Sequence, residues 1–113
     1  MQDYTFTEYQ TKAARTINPN LQNPDIIRHG ALGLASEAGE VAGIFQKRLQ
    51  GHPIDIDHLK KELGDCLWMI AELCTAYGMD MGDVARVNIY KLQNRYPDRF
   101  DEWHSMHRRR GDI

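Results

Sequence analysis

At 113 residues and 13.1 kDa the chain has the length of one domain, enough to bury roughly two-thirds of its unfolded surface. Fourteen Lys and Arg against 16 Asp and Glu leave a formal net charge of −2, without the basic excess of a nucleic-acid or membrane-surface binder. An apolar fraction of 42% argues against disorder, and no apolar run approaches the length of a membrane span.

The N-terminus, Met1-Gln2-Asp3-Tyr4, has neither a basic segment nor an apolar one of the kind that directs export, so a cytoplasmic location is expected. The two cysteines agree with that compartment. Cys66 and Cys74 lie on the apolar stripe of one predicted helix without CxxC spacing, which reads as small buried hydrophobes and not as a disulfide scaffold.

The first predicted helix begins near Thr5, where Thr5-Phe6-Thr7-Glu8 has the form of a capping box. Phe6, Tyr9, Ala13 and Ile17 recur at helical spacing, and the helix should stop before Asn18-Pro19. Leu21 to Asp25, containing Pro24, reads as a loop.

The second helix is predicted from about Ile26 to Gln50, with Ile27, Ala31, Leu34, Ala38, Val41 and Phe45 on one stripe. Gly30, Gly33, Gly39 and Gly43 interrupt it, each costing about 0.8–1 kcal/mol relative to Ala in a helix interior. Close approach of a neighbouring helix, a partner subunit or a ligand would explain them.

A third helix is predicted to start after Asp57 and end at Gly78, with the strongest helical period in the chain: Leu59, Leu63, Cys66, Leu67, Ile70, Leu73, Cys74 and Tyr77. The short link from Gly51 to Asp57 makes the second and third helices an antiparallel hairpin. A fourth helix is predicted from Met81 to about Tyr96, stopped by Pro97. The segment from 98 to 113 carries Phe100 and Trp103, which can dock, and the basic tip His107-Arg108-Arg109-Arg110, which reads as a solvated or disordered tail. No alternating stretch long enough for a strand stands out. The expected fold is therefore all-α: one domain over residues 1–113, with a helical core of about four helices from 5 to 97. Its apolar faces are wide enough to call for self-association into a homodimer or homotetramer.

Two acidic signatures lie on the central hairpin. Ser36-Glu37-Ala38-Gly39-Glu40 sits on the second helix and Glu62-Leu63-Gly64-Asp65 on the third. Each sets two carboxylates at i and i+3, which share a helix face. With about 100° per residue, Glu37 and Glu40 fall at the flank of the apolar stripe, and so does Glu62, with Asp65 a step further out. The hairpin can bring those flanks together. Two carboxylates about 5 Å apart repel by roughly 3 kcal/mol at an effective dielectric of 20. A converged cluster must therefore protonate, spread or bind a cation. An all-oxygen set favours Mg²⁺, with Mn²⁺ possible, and disfavours zinc. On the fourth helix Asn88, Lys91 and Arg95 line one face, and Lys47 projects from nearly the same side of its helix as Glu40. Such cations beside a carboxylate-held Mg²⁺ suit a polyphosphate. A solvated charged face is the plain alternative.

At these residues the sequence resembles the MazG-like nucleotide pyrophosphohydrolases of the all-α NTP pyrophosphatase superfamily. The family's Glu-Glu-x-x-Glu and Glu-x-x-Asp are matched by Ser36-Glu37-Ala38-Gly39-Glu40 and Glu62-Leu63-Gly64-Asp65, with 21 residues between Glu40 and Glu62. Asn88 to Pro97 is similar to the family's C-terminal Asn/Lys/Arg segment, and the resemblance spans about Phe6 to Phe100. Ser36 departs from it, standing where the family often has its first Glu. The resemblance implies Mg²⁺-dependent hydrolysis of a nucleoside triphosphate between the α- and β-phosphates. It implies Glu37, Glu40, Glu62 and Asp65 as metal ligands, Glu40 as the group that orients or deprotonates water, and Lys47, Asn88, Lys91 and Arg95 as substrate contacts. Two alternatives stay open at this point: a non-enzymatic helical assembly module, and a related pyrophosphohydrolase with a different nucleotide substrate.

Overall fold

The computed structural model describes residues 2–113. Five α-helices and one 3-10 turn account for the regular structure, with no strand among the described residues. The all-α expectation holds. The chain forms two compact units, one ending at Met81 and the other Gly82–Ile113.

In the first unit, α1 (Phe6–Ala13) opens with the anticipated capping box. The Thr5 hydroxyl accepts from the Glu8 N–H at 3.0 Å, and Glu8 Oε1 accepts from the Thr5 N–H at 3.3 Å. The helix then tightens into a 3-10 turn, Ala14–Thr16, before the chain extends at Ile17. The long helix α2 (Asn23–Leu49) begins three residues before its predicted start. Pro24 lies in its first turn, where the missing N–H has no intrahelical partner to lose, so the proline that read as loop is a helix starter.

Helix α3 (Ile56–Ala76) also starts earlier than predicted, because Asp55 and not Asp57 caps it. Asp55 Oδ1 accepts from the N–H groups of Asp57 and His58 at 3.0 and 3.2 Å. Both long helices end in the same device. Gly51 and Gly78, at φ +100° and +67°, turn the chain so that two successive N–H groups bond back: Gly51 to Arg48 and His52 to Lys47, Gly78 to Thr75 and Met79 to Cys74.

The most extensive packing is between α2 and α3, with α1 laid against α3. Two of the four α2 glycines explain the fit. A Cβ on Gly33 would lie 2.2 Å from Met69 Sδ and 3.0 Å from its Cγ; one on Gly30 would meet Leu73 Cγ at 3.0 Å and Glu72 Oε2 at 3.2 Å. Gly39 and Gly43 face open space, so close packing within the chain does not account for them. Ala71, Cys74 and Met81 form a small core, with Tyr9, Ala13 and Ile70 packed on it. Burial pushes the Cys74 thiol up, helped by the charge of Asp80, as suits a packing residue. Polar contacts tie α1 to the loop after α3: Gln10 Nε2 donates to the Met79 carbonyl at 2.8 Å, and its Oε1 accepts from the Met81 N–H at 2.7 Å.

The second unit contains most of α4 (Met81–Arg95) and the short α5 (Glu102–Met106), which the sequence did not announce. Asp101 caps α5 by accepting from the His104 N–H at 2.6 Å. The segment from 98 to 113 thus carries a short helix ahead of its basic tip. Its three arginines, Arg108, Arg109 and Arg110, are exposed.

Gly33→Val places a branched side chain where Met69 is already buried, and overpacking of this kind costs about 1–3 kcal/mol. A lowered Tm is expected. Gly39→Ala has nothing within 4 Å to strike, so helix propensity governs it and a raised Tm is expected; thermal melts of the two variants check both signs.

Candidate metal centre

Close approach at Gly33 sets the register of the acids. Gly30 meets Leu73 and Gly33 meets Met69, so ascending numbers on α2 pair with descending numbers on α3. One turn further along the antiparallel seam, Glu37 on α2 must meet Asp65 on α3, with Glu62 on the next turn of the same face.

Glu37, Glu62 and Asp65 each offer a carboxylate oxygen, and these oxygens lie within 4.8 Å of one another. All three residues are half-buried. Glu40, the fourth acid of the pattern, is exposed and lies outside this trio. Its charge still reaches Glu37. The Glu37 carboxyl is pushed above its ordinary value of 4.5 by partial burial first, then by the charges of Asp65, Glu62 and Glu40 and a hydrogen bond with Glu62.

Two neighbours of the trio escaped the sequence reading. His58 Nε2 lies 3.1 Å from Glu62 Oε1, one helical turn before it on α3. The i, i+4 spacing of His58 and Glu62 is the signal in the sequence that carries this contact. Tyr9 on α1 feels Asp65: its hydroxyl is pushed up mainly by burial and then by that charge. Further along the same seam, Glu72 is 4% exposed and its Oε2 is hydrogen-bonded with His29 Nδ1 at 2.7 Å. That carboxylate stands within an apolar stretch of α3, and periodicity along the helix gives no sign of its partner on α2.

The remaining predicted residues are placed as follows. Lys47 is exposed in the last turn of α2. In the second unit Asn88 is exposed, Lys91 is half-buried, and the Arg95 side chain is 11% exposed with its Nε and Nη2 on Asp112. The trio suits a hard divalent ion: three carboxylate oxygens converge from two rigid helices, with no thiolate among them.

A family model for the MazG nucleotide pyrophosphohydrolase domain matches residues 29–100, more than half of the chain. The chain belongs to the MazG family. The match contains α3, both acidic signatures and the Asn88–Arg95 face. The MazG chain is also similar to the Gene 37 protein of Mycobacterium phage L5, with 34% identity over 96 residues that cover 77% of this chain and 84% of the phage protein. No solved structure matches it. Among the described residues of this MazG chain, no helix is long and apolar enough to cross a membrane.

The raised Glu37 group carries a pH signature. Its stabilising contribution is complete below 4.5 and is lost as pH rises through the higher folded-state value. In chelator, the wild-type chain is therefore expected to lose stability relative to Glu37→Gln as pH rises above 4.5, and melts over about pH 4 to 7 check this.

Proposed function

We propose that the chain is a Mg²⁺-dependent nucleoside triphosphate pyrophosphohydrolase, splitting a (d)NTP and water into the (d)NMP and pyrophosphate. The observation that carries this is the convergence of Glu37, Glu62 and Asp65 in a chain of the MazG family. Mg²⁺ is the first choice because the donors are all carboxylates, with Mn²⁺ able to replace it.

Glu37, Glu62 and Asp65 hold the ion, and Glu40 joins them as ligand or as base. When bound, the ion supplies Lewis-acid polarisation of the α-phosphoryl group and acidifies water. Glu40 is exposed on α2 one turn from Glu37, outside the trio, and is the acid left to orient the attacking water and accept its proton. His58, on Glu62, fixes the direction of that carboxylate. Lys47, Asn88, Lys91 and Arg95 contact the phosphates and sugar of the substrate. Attack by water breaks the α–β anhydride, and pyrophosphate leaves with the electron pair of the bridging oxygen.

We place the protein in the cytoplasm and in a homodimer or homotetramer. Support for self-association comes from α3, where Ile56, Leu63 and Leu67 are 65%, 49% and 39% exposed and line an open apolar groove of about 460 Å³ with Leu59, Lys60 and Gly64. Sedimentation is expected to show a dimer or tetramer, and a monomer at high micromolar concentration would remove this part of the proposal.

Pyrophosphate release from NTPs is expected only with Mg²⁺ or Mn²⁺. Glu37→Gln and Asp65→Asn should each lower it by about a hundredfold or more, the scale of losing charge stabilisation at a phosphoryl group. Millimolar Mg²⁺ should raise the Tm of the wild type but not of these variants. A chain that releases no pyrophosphate from any NTP and melts alike with and without Mg²⁺ is instead a helical assembly module.

A further inference from the structure

The second unit contains a cationic cluster far richer than its one internal anion. Arg95 makes two parallel hydrogen bonds to Asp112, Nε to Oδ2 at 2.8 Å and Nη2 to Oδ1 at 2.7 Å. Both side chains are largely covered, at 11% and 13% exposure. Asp112 is delivered there by a tight turn: Gly111 adopts φ +87°, and the Asp112 N–H donates to the Arg109 carbonyl at 3.0 Å. Hydrogen bonding from Arg95 first, and then the charges of Arg95, Arg108 and Lys91, hold the Asp112 carboxyl below the usual carboxylate range.

A cavity of about 460 Å³ opens beside this pair, lined on α4 by Tyr90, Lys91, Asn94 and Arg95 and on the last segment by Arg109 and Arg110. A smaller one of about 200 Å³ lies against Asn94, Arg95, His107 and Arg108. Lys91, Arg95, Arg109 and Arg110 line the larger space and Arg95, Arg108 and Arg109 the smaller, and Asp112 is the one acidic side chain lining either. A guanidinium fork receives a carboxylate and a phosphate with the same parallel geometry. A polyphosphate brings several negative charges where Asp112 brings one.

We infer that this cluster is a polyphosphate-binding pocket in which Asp112 is a tethered occupant of the Arg95 fork, displaced when a polyphosphate chain binds. The inference deepens the proposed function and rests on it for the roles of Lys91 and Arg95; what it adds is Arg108, Arg109 and Arg110 as binding groups and Asp112 as the competitor. Held in the same compact unit as Arg95, 17 positions along the chain, Asp112 competes at high effective concentration. The apparent affinity for an anion then falls by the fraction of chains in which the fork is free.

Inorganic tripolyphosphate in chelator is the probe, titrated calorimetrically into the full chain, so that neither metal nor turnover is needed. A fork occupied about 70–90% of the time predicts that Asp112→Asn tightens binding by about three- to tenfold. Deletion of residues 111–113 should do the same by a second route. Asp98→Asn removes an equal charge elsewhere in the unit and should shift affinity less than about twofold, the size expected of a screened exposed charge. Arg95→Ala should weaken binding. Unchanged or weaker binding by both Asp112→Asn and the deletion overturns the inference, as does an equal gain from Asp98→Asn. Tightening by Asp112→Asn in a chain that hydrolyses no NTP sinks the hydrolase and leaves the tethered occupant standing. Turnover with an unaltered tripolyphosphate affinity in Asp112→Asn sinks the tethered occupant alone.

Discussion

The close approach of α2 and α3 at Gly33 is the constraint on which the rest depends. With no side chain at that position, the buried Met69 side chain occupies the space against the α2 backbone. An antiparallel pair held at one such point has its register set on either side of it. One turn along, that register puts Glu37 opposite Asp65 and Glu62; in the other direction it puts Gly30 and His29 against Glu72. Carboxylates are gathered here because backbone clearance, and not any attraction between them, decides where the helices meet.

The acids consequently sit in a state that is costly without a counterion. Glu37 shows it, drawn toward protonation by partial burial and by three neighbouring charges. Such a cluster must either take up protons or bind a cation. Membership of the MazG family supplies the chemical context for that need. In the second unit the balance is reversed: cations predominate, and the chain's own Asp112 satisfies the most buried of them.

Expectation and structure parted mainly at local boundaries and at one long-range pairing. Pro24 belongs to an expected loop, yet its place in a first turn makes it a helix starter, and Asp55 rather than Asp57 caps α3 because its side chain reaches two free N–H groups. Helical spacing located the i, i+3 acids on their faces but left open how many of the four would meet. The His58–Glu62 contact was in principle visible at i, i+4. The Glu72–His29 pair joins residues on different helices 43 positions apart, which periodicity along one helix does not register.

By itself the sequence determined the all-α class, the central hairpin, the two acidic signatures and their place beside the apolar stripes. The hairpin follows from the short link between Gly51 and Asp57; the rest follow from spacing within a single helix, because 3.6-residue geometry turns position directly into direction. Tertiary structure alone decided that Glu37, Glu62 and Asp65 converge while Glu40 stays outside, that two of the four glycines are contact points, and that Arg95 is held by Asp112. Each of these depends on the depth and register at which separate segments meet. Those are set by the summed fit of many side chains, and a pattern on one helix carries no record of them.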